Sequence, residues 1–120
     1  MRDSIRFKII SFQIAMIILI IVMIFTVMDR VLMGNIGKIE ENDTARVYGS
    51  GTLDVFATPA MVAFLEKTSM EGVLPFLDEG MTTVGTKLDV EHISATPVGA
   101  EVECESRLIE IDGRRLIFEV

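Results

Sequence analysis

The sequence predicts an α+β domain that follows one long apolar helix. Three observations support this architecture: an apolar block over Ile9–Met28, a helix-forming run after Thr58, and an alternation of apolar and polar residues from Thr82 onward. Such alternation is typical of β-strands, in which successive side chains point to opposite faces of the sheet. Beside the apolar helix, a chain of 120 residues has room for one small domain.

The composition excludes several classes of function. Acidic residues outnumber basic residues by 18 to 11, and the formal charge is -7. Because nucleic-acid binding depends on Lys and Arg that neutralise phosphates, no nucleic-acid partner is expected. His92 is the only histidine and Cys104 the only cysteine, which excludes a multi-histidine metal site and an intrachain disulfide. We therefore expect no metal and no cofactor, and Cys104 is interpreted as a small buried residue.

Residues 1–30 are predicted to contain a transmembrane helix. Between Ile9 and Met28 the sequence has no charge and only Ser11, Gln13 and Thr26 as polar residues. Twenty residues at about 1.5 Å each cover about 30 Å, the thickness of the hydrocarbon core of a bilayer. A run that is apolar on every face favours a membrane helix over a buried core helix. Its length and the absence of a small-residue cleavage motif argue against a cleaved signal peptide.

The basic residues around this helix indicate its orientation. Three of them precede it and two follow, which favours an N-terminus inside the cell and a domain outside. The basic residues are Arg2, Arg6, Lys8, Arg30 and Lys38.

After a predicted linker over residues 31–40, a domain is expected over residues 41–120. Its helix is predicted from Pro59 to about Leu77, with Thr58 as N-cap and Pro59 in the first helical position. Gly72 and Pro75 predict an irregular second half.

Three strands and their turns are predicted after the helix. In residues 82–94 one face is expected to hold Val84, Thr86, Leu88, Val90 and His92. The segment "ATPVG" is a predicted turn, and a second strand is expected over Ala100–Ile111. Asp112-Gly113 is a two-residue hairpin signal, after which Arg114–Val120 begins a third strand.

Three residues of this domain are candidates for chemistry. His92 lies on the apolar face of its predicted strand, where a lone histidine is more often a core residue than a catalyst. Glu66 closes the run "MVAFL", and it either enters a pocket or turns to the wet side beside Lys67. Gly85 interrupts a strand, which usually marks a bulge or a close approach of another group to the backbone.

The blocks "GSGTLDVFATPAMVAFLEK", "TTVGTKLDVEHISATPVG" and "EIDGRRLIFEV" resemble the fluoroacetyl-CoA thioesterase-like group of hotdog-fold thioesterases. The resemblance covers about residues 41–120. It implies a long helix packed on a curved antiparallel sheet, a homodimer with active sites at the interface, and hydrolysis of small acyl-CoA thioesters.

The resemblance also implies roles for four residues. The family's catalytic threonine matches Thr58 in "FATPAM", its glutamate matches Glu66, and its histidine matches His92 in "LDVEH". Gly85 in "TTVGT" matches the position whose backbone faces the substrate carbonyl. In these roles Glu66 is the base or nucleophile, His92 carries the proton, and Thr58 orients substrate or water.

The chain departs from the family pattern at both ends. The first family strand is expected to be replaced by the apolar segment and "DRVLMGNIGKI", and the last family strands are expected to be missing after Val120. The hotdog domain is therefore expected to be incomplete and to complete its sheet with another chain. An outward-facing domain also conflicts with the cytoplasmic location of the family, so a fusion, a fragment or a chimera are all interpretations of this sequence.

Three functions remain in competition at this level. The first is a membrane-tethered acyl-CoA thioesterase, supported by the four matching positions. The second is an inactive, membrane-anchored hotdog remnant that binds or dimerises. The third is a sensor leader joined to a ligand-binding module, supported only by the composition of the first segment.

Overall fold

A computed structural model describes residues 2–30 and 32–120. The chain separates into a first unit that ends at Arg30 and a second unit that contains the rest of the chain. Each unit is described by itself below.

The first unit is a single helix, α1, over Arg2–Arg30. Its segment Lys8–Thr26 has a mean hydropathy of 2.8, and none of that segment is buried. This confirms the predicted apolar helix. By length and composition, α1 could cross a membrane.

The second unit places one long helix on a small antiparallel sheet. Its elements are β1 (Leu32–Lys38), a 3-10 turn (Glu41–Asp43), α2 (Ala45–Tyr48), α3 (Thr58–Val73), a second 3-10 turn (Leu74–Phe76), β2 (Glu101–Asp112) and β3 (Arg115–Glu119). The sheet has three strands in the order β1-β2-β3, and both pairings are antiparallel. Helix α3 packs against β1 and β2.

Strand β1 corrects the predicted linker. Residues 32–38 pair with β2 over the whole strand, from Leu32 opposite Arg107 to Lys38 opposite Glu101. A strand thus lies in the segment where the first family strand was expected to be replaced. Sequence propensity hides this strand because Gly34 and Gly37 are poor strand formers. Tertiary contact stabilises it instead: the Phe64 ring lies against Gly37, 3.3 Å from the position a Cβ would take there.

Helix α3 begins one residue earlier than predicted and ends earlier as a regular helix. Ala57 is the N-cap and Thr58 is already helical, so the predicted capping role of Thr58 is wrong. The Thr58 hydroxyl is engaged elsewhere, as described below. Regular helix ends at Val73, and a 3-10 turn that contains Pro75 follows, which confirms the predicted irregularity.

The hairpin of β2 and β3 follows the predicted pattern closely. Val102, Cys104, Ser106 and Leu108 form the inner face of β2, and the last three of these are buried. The loop is Gly113-Arg114, one residue later than predicted, because Asp112 pairs with Arg115. Gly113 has φ +60°, a value that a type II′ turn requires at this position and that glycine adopts without strain.

The predicted first strand of the meander, residues 82–94, forms no ladder. Within the described part of the chain, residues 82–95 make no backbone–backbone hydrogen bond. Alternation predicts which side chains share a face, but a strand also requires a neighbour with free N–H and C=O groups. Val84 and Ile93 are 80% and 88% exposed, so this segment leaves apolar side chains in solvent.

The interior of the second unit contains two apolar clusters and a polar seam. One cluster is formed by Ile39, Phe56, Ala57 and Ala60, and the other by Val73 and Leu108 with Leu116 and Phe118 beside them. Between α3 and the sheet, the Ser69 and Ser106 hydroxyls are 2.7 Å apart, and Asn35 donates to Thr68 and Glu71. Thr68 and Ser106 are almost fully buried, and these hydrogen bonds satisfy them.

Candidate active site

The structure brings Thr58 and His92 into direct contact. Thr58 Oγ1 and His92 Nδ1 are 2.9 Å apart. Thr58 is held in place by the first turn of α3. His92 lies on the stretch from Gly80 to Pro97, which is called the crossing segment below. Depending on the imidazole tautomer, the hydroxyl donates to Nδ1 or Nδ1–H donates to the hydroxyl. Either arrangement fixes the ring and leaves Nε2 available to a third group.

Phe56 orients the imidazole from a second direction. The two ring centroids are 6.2 Å apart and the planes meet at 75°, an edge-to-face arrangement. Phe56 itself is buried, and its backbone N–H donates to Thr96 O over 2.8 Å. The His92 ring is therefore positioned by a hydrogen bond and by a rigid aromatic neighbour. The interpretation of His92 as a simple core residue is incomplete, because its side chain is only partly buried.

An open cleft of about 250 Å³ surrounds this pair. Its remaining lining residues are Ala45, Ser50, Val55, Phe56, Ile93, Ser94 and Ala95. Most of these side chains are small or apolar, so the cleft offers an apolar wall beside a hydrogen-bonding pair. Such a combination is typical of sites that hold a small organic group in a fixed orientation.

The loop that borders the cleft is closed by an ion pair. Arg46 donates to Asp54 through Nε over 2.7 Å and through Nη2 over 3.2 Å. This hydrogen bond, and then the charge of Asp54, raise the pKa of Arg46 above its ordinary value. The Ser50 backbone N–H donates to Ala45 O over 2.9 Å, and Gly49 has φ +69°. These contacts fix the loop and so place Ser50 at the cleft.

Glu66 and Gly85 form a second close pair. A Cβ built on Gly85 would overlap Glu66 Oε1 and lie 2.9 Å from Glu66 Cδ. A side chain at Gly85 would require this carboxylate to shift, which matches the predicted close approach of another group at Gly85. Glu66 is half-buried and lies against the crossing segment, while Lys67 pairs with Glu71 at 3.8 Å. The structure therefore places Glu66 on the inner side rather than beside Lys67.

The two pairs lie along the same helix. Eight positions separate Thr58 from Glu66, which corresponds to about 12 Å along the axis of α3. The crossing segment supplies the other member of each pair, because Gly85 reaches Glu66 and His92 reaches Thr58.

Sequence reasoning missed several residues around the site. Phe56, Ser50 and Ile93 were not identified as neighbours of His92. Phe56 could have been found from its position two residues before Thr58, since a buried residue there packs under the start of the helix. Ser50 and Ile93 gave no sequence signal, because loop geometry alone brings them to the cleft. Across the described residues, no group of three or more His, Cys, Asp or Glu side chains could hold a metal ion.

Comparison with known proteins identifies relatives of the second unit. A fluoroacetyl-CoA thioesterase of Streptantibioticus cattleyicolor is 37% identical over 67 residues, which is 56% of this chain and 48% of that protein. The chain thus spans about half the length of the curated relative that it matches.

Solved structures of the fluoroacetyl-CoA-specific thioesterase FlK share the fold. A point variant in complex with fluoroacetate and CoA is 29% identical with a TM-score of 0.69, covering 72% of this chain and 74% of that chain. Another FlK structure is 29% identical with a TM-score of 0.68, covering 72% and 69%. The α+β hotdog architecture, with a helix packed on an antiparallel sheet, is therefore confirmed.

A family profile shows which residues of the chain match the family. The profile described as fluoroacetyl-CoA-specific thioesterase matches residues 39–120, more than half of the chain. This segment contains both close pairs and the cleft. Over these residues, the chain belongs to the fluoroacetyl-CoA-specific thioesterase family.

Proposed function

We propose that this protein hydrolyses the thioester bond of a small acyl-CoA, releasing the free acid and CoA. The observation that supports this most directly is the 2.9 Å contact between Thr58 Oγ1 and His92 Nδ1 beside an open cleft. Family membership supports the reaction class, since relatives are named as fluoroacetyl-CoA thioesterases. Structures of FlK with CoA and with acetyl-CoA support the substrate class.

The proposed chemistry uses each of the four residues once. Glu66 attacks the thioester carbonyl carbon or activates the water that attacks it, and His92 carries the proton to the departing sulfur of CoA. When water attacks, it gives one proton through His92 to the sulfur, the carbon–sulfur bond breaks, and the acid forms directly. When Glu66 attacks, the carbon–sulfur bond breaks to leave an acyl–Glu66 anhydride, which water then hydrolyses to free the acid and restore the carboxylate. Thr58 holds the imidazole and orients substrate or water. The Gly85 backbone N–H stabilises the negative charge that develops on the carbonyl oxygen.

The acyl group is proposed to be small. A cleft of about 250 Å³ with Ala45, Val55 and Ile93 in its wall has room for a short acyl chain next to Thr58. Fluoroacetyl-CoA is one candidate because it is the substrate named for the relatives. Acetyl-CoA and propionyl-CoA are others of similar size.

The active form is proposed to be a homodimer, tethered to a membrane through α1. The dimer follows from the family resemblance. The tether is supported by the mean hydropathy of 2.8 over Lys8–Thr26. The intact Thr58–His92 pair argues against the alternative of a catalytically inactive, membrane-anchored remnant.

The test is a thiol-release assay on the full chain in detergent, with acetyl-, propionyl-, fluoroacetyl- and octanoyl-CoA. We expect turnover of the short thioesters that disappears in Glu66→Gln and persists in Glu91→Gln, a matched carboxylate change at an exposed neighbour of His92. No turnover of any of the four thioesters by protein with a native circular dichroism spectrum would overturn the proposal.

A second measurement asks whether the two pairs serve one reaction. Thr58→Ala, Glu66→Gln and the double variant are compared by kcat/KM. Residues that act as a unit lose activity non-additively, so the double variant is expected to be little worse than the poorer single variant. Fully additive losses would mean that the pairs act independently.

A further inference from the structure

The loop between α2 and α3 holds Ser50 in a fixed position. The backbone N–H groups of Ser50 and Gly51 both donate to Ala45 O, over 2.9 and 3.2 Å. Gly51 also lies close to Ala45, since a Cβ at Gly51 would be 3.3 Å from Ala45 Cβ. The ion pair of Arg46 and Asp54 joins the two ends of the loop. Ser50 is therefore positioned before a ligand binds, which lowers the entropy that binding costs.

The hydroxyl group of Ser50 is available to a ligand. Ser50 is exposed and lines the cleft that contains Thr58 and His92. Among the described residues, its hydroxyl group takes part in no side-chain hydrogen bond. The Thr58 hydroxyl, by contrast, is engaged with His92. A ligand in the cleft would thus find the Ser50 hydroxyl free to donate or to accept a hydrogen bond.

Most of the remaining cleft wall cannot form side-chain hydrogen bonds. Five of the lining residues have side chains without polar atoms, namely Ala45, Val55, Phe56, Ile93 and Ala95. Ser94 also contributes a hydroxyl group to the wall. It lies on the crossing segment, however, where residues 82–95 make no backbone–backbone hydrogen bond within the described part of the chain. Ser50 is therefore the better positioned of the two serine hydroxyls.

A fixed hydroxyl group in an apolar wall distinguishes acyl groups by their chemistry. An acyl group with a hydroxyl on the carbon next to the carbonyl can exchange a water molecule at Ser50 for a direct hydrogen bond. An alkyl group of the same size displaces that water without replacing its hydrogen bond, which lowers affinity. A site that bonds a hydroxyl group of the substrate therefore discriminates against the analogue that lacks it.

We propose that Ser50 selects short acyl groups that carry a hydroxyl group, so that 2-hydroxyacyl-CoA thioesters such as glycolyl-CoA are preferred over alkyl thioesters of the same size. The Ser50 hydroxyl bonds to the hydroxyl group of the acyl chain, while Ala45 and Val55 contact its carbon atoms. This inference rests on the proposed thioesterase function and narrows its substrate class. Ser50 has a role in recognising the substrate and none in the chemical step.

Two substrates of equal size test the proposal. Glycolyl-CoA has a hydroxyl group where propionyl-CoA has a methyl group. The ratio of their kcat/KM values is compared between the unmodified full chain and Ser50→Ala in detergent, so that the intrinsic reactivity of the two thioesters cancels. Ser50→Ala is expected to lower this ratio by about fivefold, the equivalent of one hydrogen bond. The change should come from a higher KM for glycolyl-CoA, with kcat nearly unchanged. Ser50→Thr keeps the hydroxyl group and should keep the ratio.

Two control variants accompany Ser50→Ala. Thr52→Ala removes a hydroxyl group from the same loop, at an exposed residue outside the cleft lining, and should leave the ratio unchanged. Ser94→Ala removes the hydroxyl group on the crossing segment and should change the ratio less than Ser50→Ala does. Circular dichroism verifies that each variant is folded.

A binding measurement separates this proposal from the proposed function. In Glu66→Gln the thioester is expected to stay intact, so Kd for glycolyl-CoA and propionyl-CoA can be measured by calorimetry, with and without Ser50→Ala. If the unmodified chain hydrolyses neither thioester, the proposed function fails, and the Kd ratio still tests Ser50.

Three results would overturn the role of Ser50. The first is a substrate ratio that Ser50→Ala leaves unchanged. The second is a change with Thr52→Ala or Ser94→Ala as large as that with Ser50→Ala. The third is that neither thioester binds, which would overturn the proposed function as well.

Discussion

Thr58 Oγ1 and His92 Nδ1 lie 2.9 Å apart although the two residues are 34 positions apart in the chain. The contact joins the first turn of α3 to a segment that has no strand partner in the described residues. The contact is thus a candidate catalytic arrangement, and it also holds the segment that contains His92 against α3. The predictions below separate these two roles wherever the structure allows.

Removing the imidazole is expected to lower kcat for acyl-CoA hydrolysis by about 10²- to 10⁴-fold, the usual contribution of a general acid–base group. His92→Ala is measured against His92→Asn, which keeps a hydrogen-bonding side chain but cannot carry the proton. Both variants are expected to lose kcat to a similar extent. If His92→Asn retained most of the activity, His92 would be a positioning residue only.

The hydroxyl group of Thr58 is expected to contribute more to kcat/KM than its methyl group. Thr58→Ser should keep kcat/KM within a few-fold, because the Oγ–Nδ1 hydrogen bond can still form. Thr58→Val should lose much more, since it keeps the shape and removes the bond. Thr86→Val, at an exposed position of the crossing segment, is the matched control and should behave as the unmodified chain. Equal activity of the Ser and Val variants would contradict the proposed role.

A methyl group at Gly85 is expected to disturb the site more than the fold. Gly85→Ala places a Cβ on the Glu66 carboxylate, which is the far end of a flexible side chain and can move aside, so the free energy of unfolding should fall by no more than about 1 kcal/mol while hydrolysis is lost. Gly34→Ala meets no atom within 4 Å and should change that free energy by less than about 0.5 kcal/mol. Denaturant titration measures both.

The same substitution has an internal control. In Gly85→Ala/Glu66→Ala the overlapping carboxylate is absent, so most of the lost stability should return even though activity does not. If the double variant were as unstable as Gly85→Ala, the cost would arise from the backbone at position 85 and not from contact with Glu66.

The polar seam beneath α3 is expected to stabilise the second unit modestly. Ser106→Ala breaks the 2.7 Å contact with Ser69 and should lower the free energy of unfolding by about 1 kcal/mol. Ser69 keeps its bond to Leu65 O, so the loss stays small. Ser94→Ala, an exposed serine, is the control. A Ser69→Ala/Ser106→Ala variant should lose less than the sum of the two single losses, because one interaction is counted twice.

Helix α1 is expected to retain the chain in membranes after alkaline carbonate extraction. Ile17→Arg, in the middle of the apolar segment, adds about 3–4 kcal/mol to the free energy of insertion and should release part of the protein. Ser11→Arg, near the end of that segment, should release much less because a long side chain there reaches the interface. Complete extraction of the unmodified chain would contradict the proposed tether.

The sequence predicted those parts of the fold that depend on local pattern. The inner face of β2 follows from strict alternation, and the 3-10 turn after α3 follows from Pro75. Strand β1 was missed because its two glycines and Asn35 disfavour a strand locally, whereas pairing with β2 and contact with Phe64 decide the outcome. Local propensity is a weak guide wherever tertiary contacts supply the larger free energy.

The roles of the four candidate residues stay predictions, and their geometry was not predicted. Sequence reasoning singled out Glu66, His92 and Gly85, and the resemblance added a catalytic role for Thr58. No sequence pattern gives the path of residues 82–95, which determines that His92 reaches Thr58 while Gly85 reaches Glu66. The N-cap prediction failed for a related reason, since the Thr58 hydroxyl finds a distant partner instead of its own helix.

The absence of a backbone ladder over residues 82–95 in the described structure gives the two halves of the site different local stabilities. Thr58 and Glu66 belong to a helix of 16 residues, whose amide protons should exchange slowly with solvent. Gly85 and His92 lie on a stretch whose amides should exchange within the shortest labelling times. Mild denaturant should therefore abolish hydrolysis while the helical circular dichroism signal is still complete, and bound substrate should slow exchange at Gly85 and His92 first.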